Sequence, residues 1–361
     1  MNIVVPMVLA LAMILFGAEL FTNAVEWLGR KMRLGQGAVG SVLAALGTAL
    51  PETAVPVTAI IAGKGSTRSL EIGMGGILGA PFLLITLGSL IMAVSLWAVH
   101  RRGAHLRVDA VSYNRDMTVF LLAFALVTTT GCISNHFLHH AVPFVLVALY
   151  GLFLYLTLRD RMNIDTESQL HPLYIQGKVD QPRLPLVLLQ LALALGLIVG
   201  GAHLLTGSVE RLADLLNIPT FIVSAVLIPL ATELPETLNS VVWIRQGKDA
   251  LATGNITGAM VFQSTLVPAL GIWLTPWNLT NQAILTAGLT LTAAAFAFGM
   301  FRLQNAVTST VLVVTSLLYW MLPLQGLAGR YDLHIVYWIG LAGLGAVLLL
   351  TASVGTRFRS L

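Results

Sequence analysis

The feature that most limits the fold of this chain is a series of apolar stretches running from its first residues to its last. A helix needs about twenty apolar residues to cross the hydrocarbon core of a bilayer. The chain is 57% hydrophobic and 10% charged, whereas soluble domains carry about 25% charged residues. We therefore predict an all-α polytopic membrane protein, with eleven spans at residues 3–24, 36–62, 70–98, 116–131, 140–158, 185–206, 218–244, 250–273, 280–300, 306–324 and 334–353.

The basic residues support this set of spans. If the connecting segments alternate between two sides, sixteen of the twenty Lys and Arg residues fall on one side. Cytoplasmic loops carry the excess of basic residues, so we expect the C-terminus in the cytoplasm and the N-terminus outside. The basic isoelectric point then needs no nucleic-acid partner, and a prokaryotic inner membrane is the expected location. The four outer basic residues are Lys64, Arg68, Arg211 and Arg330.

The first apolar segment argues against a cleaved signal peptide, and the cysteine content argues against disulfides and cysteine metal sites. Residues 1–25 have no basic stretch before the apolar run and are long enough to span, so they predict a first transmembrane helix rather than a cleaved signal. The chain has a single cysteine, Cys132. This excludes an internal disulfide and a cysteine metal cluster.

An internal repeat relates the two halves of the chain. With a shift of 184 residues, Gly17–Thr53 aligns with Gly201–Thr237 without a gap, and sixteen of the 37 positions are identical. The copies are five spans apart, and an odd number of spans turns the second copy over in the membrane. Inverted repeats with interrupted helices are typical of secondary transporters whose site lies near the midplane. We predict five-helix repeats at 1–158 and 185–324, a cytoplasmic connection at 159–184, and an extra helix and tail at 325–361.

The repeat carries one polar motif, "GTALPET" in the first copy and "ATELPET" in the second. In a helix, Thr48 and Glu52 lie on the same face because they are four residues apart. Pro51 has no N–H, so the carbonyl of Gly47 loses its helical partner. Carboxylate, hydroxyl and carbonyl oxygens are the ligands preferred by Na⁺, Ca²⁺ and Mg²⁺. The second copy supplies the same set through Thr232, Glu236, Pro235 and Ala231.

The glutamates of the two copies predict a cation site. Two buried carboxylates repel each other unless a cation or a proton lies between them. We therefore predict that a cation binds between Glu52 and Glu236. Glu233 lies three residues before Glu236, and ionisable residues within a membrane mark ion pathways and proton relays. It predicts a third cation or proton ligand, with a salt bridge to another helix as the alternative.

These motifs resemble those of the sodium/calcium exchanger branch of the cation/calcium exchanger superfamily. "GAELFTNAVEWL…GTALPE" and "GAHLLTGSVERL…ATELPE" are similar to the first halves of the family's two repeats. The second halves match "GGILGAPFLL" and "GNITGAMVFQ", where the family has polar site residues that are Ala80, Leu84 and Ala259 here. The resemblance makes Asn255 a candidate ligand or hydrogen-bond partner of the glutamates. It also makes Gln263, at a position where the family has an acid, a candidate neutral ligand.

The resemblance implies Na⁺/Ca²⁺ antiport by alternating access, with no enzyme activity and no redox cofactor, ATP or nucleic acid. The missing family ligands leave a proton-coupled exchanger of Na⁺ or a divalent cation as an alternative. A third reading is a transport-inactive ion sensor or scaffold. The expected partners are inorganic cations and the lipid bilayer, and the sequence implies no oligomer.

Overall fold

The computed structural model describes residues 3–31, 50–99, 105–133, 135–161, 171–177 and 181–357. The predicted all-α membrane fold is confirmed, since these ranges consist mainly of helices. Their bounds are α1 Val4–Lys31, α2 Leu50–Ala62, α3 Thr67–Ala98, α4 Ala110–Cys132, α5 His136–Arg161, α6 Leu184–Leu216, α7 Thr220–Thr232, α8 Leu234–Arg245, α9 Asp249–Leu274, α10 Asn281–Gln304, α11 Ser309–Tyr331 and α12 His334–Arg357. Two short strands, β1 His105–Leu106 and β2 Val307–Thr308, pair antiparallel.

Ten of the eleven predicted spans correspond to helices of the described ranges. Nine helices are long and apolar enough to cross a membrane, and α7 with α8 forms a tenth, bent by 49°. Of the predicted second span, only α2 is described. Its 13 residues reach about 20 Å at the helical rise, less than the roughly 30 Å of a hydrocarbon core. The predicted second span therefore stays a prediction, as does the division into repeats.

Several helices begin earlier than the apolar pattern predicts because a polar residue caps them. We expected spans from 116 and 140, but α4 begins at Ala110 and α5 at His136. The Asp109 side chain accepts a hydrogen bond from the Ser112 amide at 3.2 Å. The Asn135 side chain accepts one from the Phe137 amide at 2.9 Å. Such caps satisfy the free N–H groups of the first turn, so these helices extend beyond their apolar residues.

The two central helices are α3 and α9. In an apolar 18-residue stretch of each helix, 78% of the residues are buried in α3 and 72% in α9, against 11% in α12. A helix that is apolar on all sides is stable when other helices surround it. A π-helical turn at Leu84–Gly88 interrupts α3. Since α9 also contacts α2 and α8, this central layer supports the two segments that carry the repeated Pro-Glu motif.

Helices α1 and α6 cross at two glycines that the repeat aligns. A Cβ on Gly17 would lie 2.8 Å from Ile198, and one on Gly201 would lie 2.8 Å from Ile14. The shift of 184 residues aligns Gly17 with Gly201 and Ile14 with Ile198, so each contact is the repeat-related copy of the other. A two-fold axis between α1 and α6 requires this. Small residues at such crossings let membrane helices pack closely.

We expect opposite effects of alanine at two glycines of this helix pair. Gly17→Ala destabilises the protein by about 1–3 kcal/mol because the added methyl group overpacks the crossing. Gly196→Ala is the matched control, since its Cβ would meet nothing within 4 Å, and it stabilises α6 by about 0.5–1 kcal/mol. Thermal unfolding in detergent measures both, and equal shifts in the two variants would contradict the close packing at Gly17.

Part of the connection between the halves folds back onto α1 and α6. Asn23 and Trp27 of α1 donate hydrogen bonds to the carbonyl of His171, at 3.2 and 2.9 Å. Gln190 of α6, which is fully buried, donates to the Asn23 side chain at 2.9 Å. The Ile175 amide of the same segment donates to the Gln190 side chain at 3.2 Å, so 171–177 contacts both helices.

The predicted orientation can be tested with the native cysteine. Cys132 is exposed at the end of α4, on the side that the basic residues predict to be outside. We expect a membrane-impermeant maleimide to label it in intact spheroplasts, to the same extent as after lysis. Labelling only after lysis would show that this end of α4 lies in the cytoplasm and that the predicted orientation is wrong. Cys132→Ser controls for reaction elsewhere.

Candidate cation site

Three glutamates meet inside the helix bundle. Glu52 lies in the first described turn of α2, Glu233 at the break between α7 and α8, and Glu236 in the first turn of α8. Their exposed fractions are 4%, 0% and 4%. One carboxylate oxygen of each lies within 4.8 Å of the other two. The structure therefore brings together the three glutamates that the sequence singles out.

The break at Glu233 positions two of these carboxylates. Pro235 provides no N–H to continue the helix past Ala231, and α7 ends at Thr232. The chain bends there and starts again as α8. The N-terminus of a helix carries a partial positive charge that favours a nearby anion, so the first turn of α8 suits the carboxylate of Glu236. Ala231, whose carbonyl is the candidate ligand, is buried at the end of α7.

Gln263 of α9 connects the two repeats at this cluster. Its amide nitrogen donates to the Glu52 carboxylate at 2.7 Å and to the Glu233 carboxylate at 2.8 Å. The carboxyl groups of Glu52 and Glu233 also lie within hydrogen-bonding reach of each other. A hydrogen bond between two carboxyl groups requires a proton on one of them. The arrangement therefore accommodates a shared proton as well as a cation.

Two polar atoms of the cluster have unused hydrogen-bonding capacity. Within the described ranges, Glu236 Oε2 and Gln263 Oε1 are buried and have no hydrogen-bond partner. Both are oxygen acceptors, which a cation or a protonated group can satisfy. No Lys, Arg or His in the same ranges is paired with any of the three carboxylates, so the salt bridge considered for Glu233 is absent from the described structure.

Comparison with known proteins identifies the family. The family model described as "Sodium/calcium exchanger protein" matches residues 3–159 and 186–352, which is most of the chain. The chain belongs to the sodium/calcium exchanger family. Members of this family are transporters, so the protein is not an enzyme.

Two curated relatives align with this exchanger-family protein over nearly all of their own length. CaxA of Alkalimonas amylolytica is 22% identical over 86% of this chain and 94% of its own. "Inner membrane protein YrbG" of Escherichia coli (strain K12) is 22% identical over 88% of this chain and 97% of its own. The name of the second relative places that protein in the inner membrane of its bacterium.

Solved structures of exchangers have the same fold. The crystal structure of the H⁺/Ca²⁺ exchanger CAX superposes with a TM-score of 0.69 at 19% identity, covering 99% of this chain and 90% of that one. A structure of the sodium–calcium exchanger NCX_Mj superposes with a TM-score of 0.54 at 18% identity, covering 88% and 97%. At these identities the likeness establishes the fold alone.

The other candidate ligands of this exchanger lie around the glutamates or outside the described residues. The Thr232 hydroxyl donates to Glu233 at 3.1 Å. Asn255 of α9 donates to the backbone carbonyl of Glu236 at 3.1 Å. Its amide nitrogen is therefore a hydrogen-bond partner of Glu236 rather than of the carboxylates. Thr48 and Gly47 lie outside the residues that the structure describes.

Sequence reasoning missed two polar contacts of this exchanger. Ser240 of α8 donates to the same carbonyl of Glu236 at 2.9 Å. It lies four residues after Glu236, and a serine in a helix often bonds to the carbonyl four residues earlier, so the spacing could have predicted this contact. Thr257 of α9 donates to the buried Asp116 of α4 at 2.7 Å. Asp116 also pairs with Arg115 at 3.1 Å, so this acid belongs to a separate, already paired set.

We expect Asn255→Ala to slow exchange about fivefold without abolishing it. The variant removes one of the two side-chain hydrogen bonds described for the Glu236 carbonyl, and one such bond contributes about 1 kcal/mol. Initial rates of cation flux in liposomes measure the effect. Asn281→Ala, at the exposed start of α10, is the matched control and keeps the wild-type rate. Loss of all flux in Asn255→Ala would instead make Asn255 a direct ligand.

Proposed function

We propose that this protein exchanges Ca²⁺ for protons across the membrane by alternating access, using Glu52, Glu233 and Glu236 for both ions. The observation that carries the proposal is the cluster of three buried carboxylate oxygens within 4.8 Å of one another. Three adjacent carboxylates cannot all ionise in a low-dielectric interior without a counter-charge. Either a divalent cation or protons must therefore accompany them.

The oxygen donors favour Ca²⁺ as the cation. Ca²⁺ accepts six to eight oxygen ligands in flexible geometry. Around the cluster, the described residues offer the carboxylates, the free amide oxygen of Gln263 and the hydroxyl of Thr232. The site has no nitrogen or sulfur ligand of the kind that transition metals prefer among the described residues of the cluster. Thr48 and the carbonyl of Gly47 remain candidate ligands from the first repeat.

Protons are favoured as the driving ion by the contact between Glu52 and Glu233. Their carboxyl groups are close enough to share a proton, and Gln263 donates to both. When Ca²⁺ enters, the carboxylates must release their protons because the metal binds the ionised form. Each ion therefore displaces the other from the same oxygens, which is the requirement for coupled antiport. The relative with the higher TM-score, CAX, is an H⁺/Ca²⁺ exchanger.

Na⁺/Ca²⁺ exchange is the second candidate. The family model is that of sodium/calcium exchangers, and NCX_Mj is a sodium–calcium exchanger of the same fold. The same carboxylates can hold Na⁺, which also prefers oxygen ligands. The alanines at positions 80 and 259 stand where the resemblance implies polar ligands, and their absence affects a Na⁺ shell and a Ca²⁺ shell alike. The contact between Glu52 and Glu233 is therefore what favours protons over Na⁺ as the driving ion.

Flux measurements on reconstituted protein separate these functions. We expect uptake of radiolabelled Ca²⁺ into liposomes driven by an outward proton gradient, abolished when an ionophore collapses that gradient and unchanged by a Na⁺ gradient. Uptake driven by an outward Na⁺ gradient at equal pH would establish Na⁺/Ca²⁺ exchange instead. Binding of Ca²⁺ with no flux under either gradient would make the protein an ion sensor or scaffold and overturn both exchange proposals.

A further inference from the structure

The start of α5 carries a histidine-rich segment, "HFLHH" at residues 136–140. His136 and His140 are four residues apart, so they lie on the same face of the helix, and both are exposed. Their Nε2 atoms are 3.2 Å apart. The two rings, which we call the histidine pair, therefore present the same nitrogen to each other at the protein surface.

The separation of these nitrogens matches that of two ligands on one metal ion. Zinc binds imidazole nitrogen at about 2.0–2.1 Å in tetrahedral geometry, which places two such nitrogens about 3.3 Å apart. The 3.2 Å in the histidine pair is within the tolerance of about 0.2 Å for such a site. Imidazole is a ligand that Zn²⁺, Cu²⁺ and Ni²⁺ share, so the pair suits this class of ion.

The position of the histidine pair leaves it open to water. Phe144, one turn further along α5 than His140, contacts Trp273 of α9 with ring centroids 5.5 Å apart, and both side chains are exposed. Exposed tryptophans concentrate at membrane interfaces. Since α5 enters the membrane from His136, the pair lies on the aqueous side of this aromatic contact. An ion in the surrounding solution can therefore reach both rings.

The charges around the histidine pair also suit a cation. The helix α5 packs against α4 and α9. Residues 117–158 and 250–301, which include the ends of α4 and α9 on this side, contain no Asp, Glu, Lys or Arg. Within these helices, no basic side chain repels a dication beside the rings, and no carboxylate competes for the imidazoles by pairing with their protonated form.

We propose that His136 and His140 bind one transition-metal dication, such as Zn²⁺, Ni²⁺ or Cu²⁺, with water completing its coordination. The site shares no residue with the glutamate cluster. The two sites also differ in the class of ion that they take, because Ca²⁺ prefers oxygen ligands and transition metals accept imidazole nitrogen. The basic residues predict that this end of α5 faces the outside, so the metal binds without crossing the membrane.

Electron paramagnetic resonance of Cu²⁺ bound to the full-length protein in detergent, after removal of any affinity tag, tests this. Cu²⁺ binds most tightly among the divalent ions of its series, and coupling to imidazole nitrogen reports how many rings are bound. We expect one Cu²⁺ with two imidazoles, retained in about a hundredfold excess of Ca²⁺. His136→Ala and His140→Ala each leave one imidazole and weaken binding at least about tenfold, since one of two protein ligands is lost.

Three variants make the result specific to the histidine pair. His139→Ala is the matched control, because the Nε2 of His139 donates to the carbonyl of Thr275 at 2.9 Å. It keeps the signal of two imidazoles, as does Cys132→Ser, which removes the exposed thiol. Glu236→Gln also keeps it, so the outcome is independent of the exchange proposal.

Three results would overturn the metal site. Wild-type protein that shows no nitrogen-bound Cu²⁺ would leave the pair as a hydrogen bond between two rings. An unchanged spectrum and affinity in both His136→Ala and His140→Ala would place the metal on other side chains. Displacement of Cu²⁺ by Ca²⁺ at equal concentration would place it on carboxylates.

Discussion

Replacing Glu52 or Glu236 with glutamine should reduce Ca²⁺ exchange to background, a loss of at least about a hundredfold. The amide keeps the volume of the side chain but cannot carry the negative charge that a divalent cation requires. Removing one partner from a buried charged cluster costs about 3–5 kcal/mol, which corresponds to more than a hundredfold in binding. The measurement is radiolabelled Ca²⁺ uptake by proteoliposomes under a proton gradient.

Glu210→Gln is the matched control for these variants. Glu210 belongs to the same repeat as Glu236 and aligns with Glu26 of the first repeat, but it is not part of the glutamate cluster. It should retain the wild-type flux. Equal protein content in the liposomes and an unchanged elution volume separate loss of transport from loss of folding. Substantial flux in both Glu52→Gln and Glu236→Gln would place the cation pathway elsewhere in the protein.

The sequence reveals the glutamates of the site because membrane burial makes each one conspicuous. A carboxylate inside an apolar span needs a counter-charge, and the same Pro-Glu pair occurs twice in aligned positions. Gln263 could be placed only by its match to the family pattern. Its bridge from Glu52 to Glu233 depends on how far α9 is shifted and rotated against α2 and α7. No local pattern determines that register.

Contacts between distant segments were similarly beyond sequence reasoning. Asn23 and Gln190 are polar residues in apolar spans, 167 positions apart, and their hydrogen bond unites α1 with α6. Each alone is compatible with many partners, and the docking of 171–177 onto them follows no periodicity. The spans, in contrast, depend only on hydropathy summed over a window. Ten were therefore predictable, and their ends differed where caps such as Asp109 extend a helix.

Glu233→Gln should change the number of protons that Ca²⁺ displaces when it binds. Ca²⁺ binding displaces protons from the cluster, so the logarithm of its affinity rises with pH with a slope equal to the number of protons released. Glu233→Gln removes one proton-binding group, so the number released per Ca²⁺ falls by about one. The variant also loses a ligand charge, and its affinity at alkaline pH falls about tenfold. At acidic pH the difference from wild type shrinks, because the wild-type carboxyl groups are then largely protonated.

Calcium binding by isothermal titration, repeated from acidic to alkaline pH, measures both effects in one series. The slope of log Kd against pH gives the number of protons released, and titration in buffers of different ionisation enthalpy gives the same number independently. Glu210→Gln keeps the wild-type slope. If Glu233→Gln also keeps it while binding weakens, Glu233 is a ligand without a proton, and proton coupling must rest on Glu52 and Glu236. If neither slope nor affinity changes, Glu233 takes no part in the site, and the pair predicted from the repeats holds the cation alone.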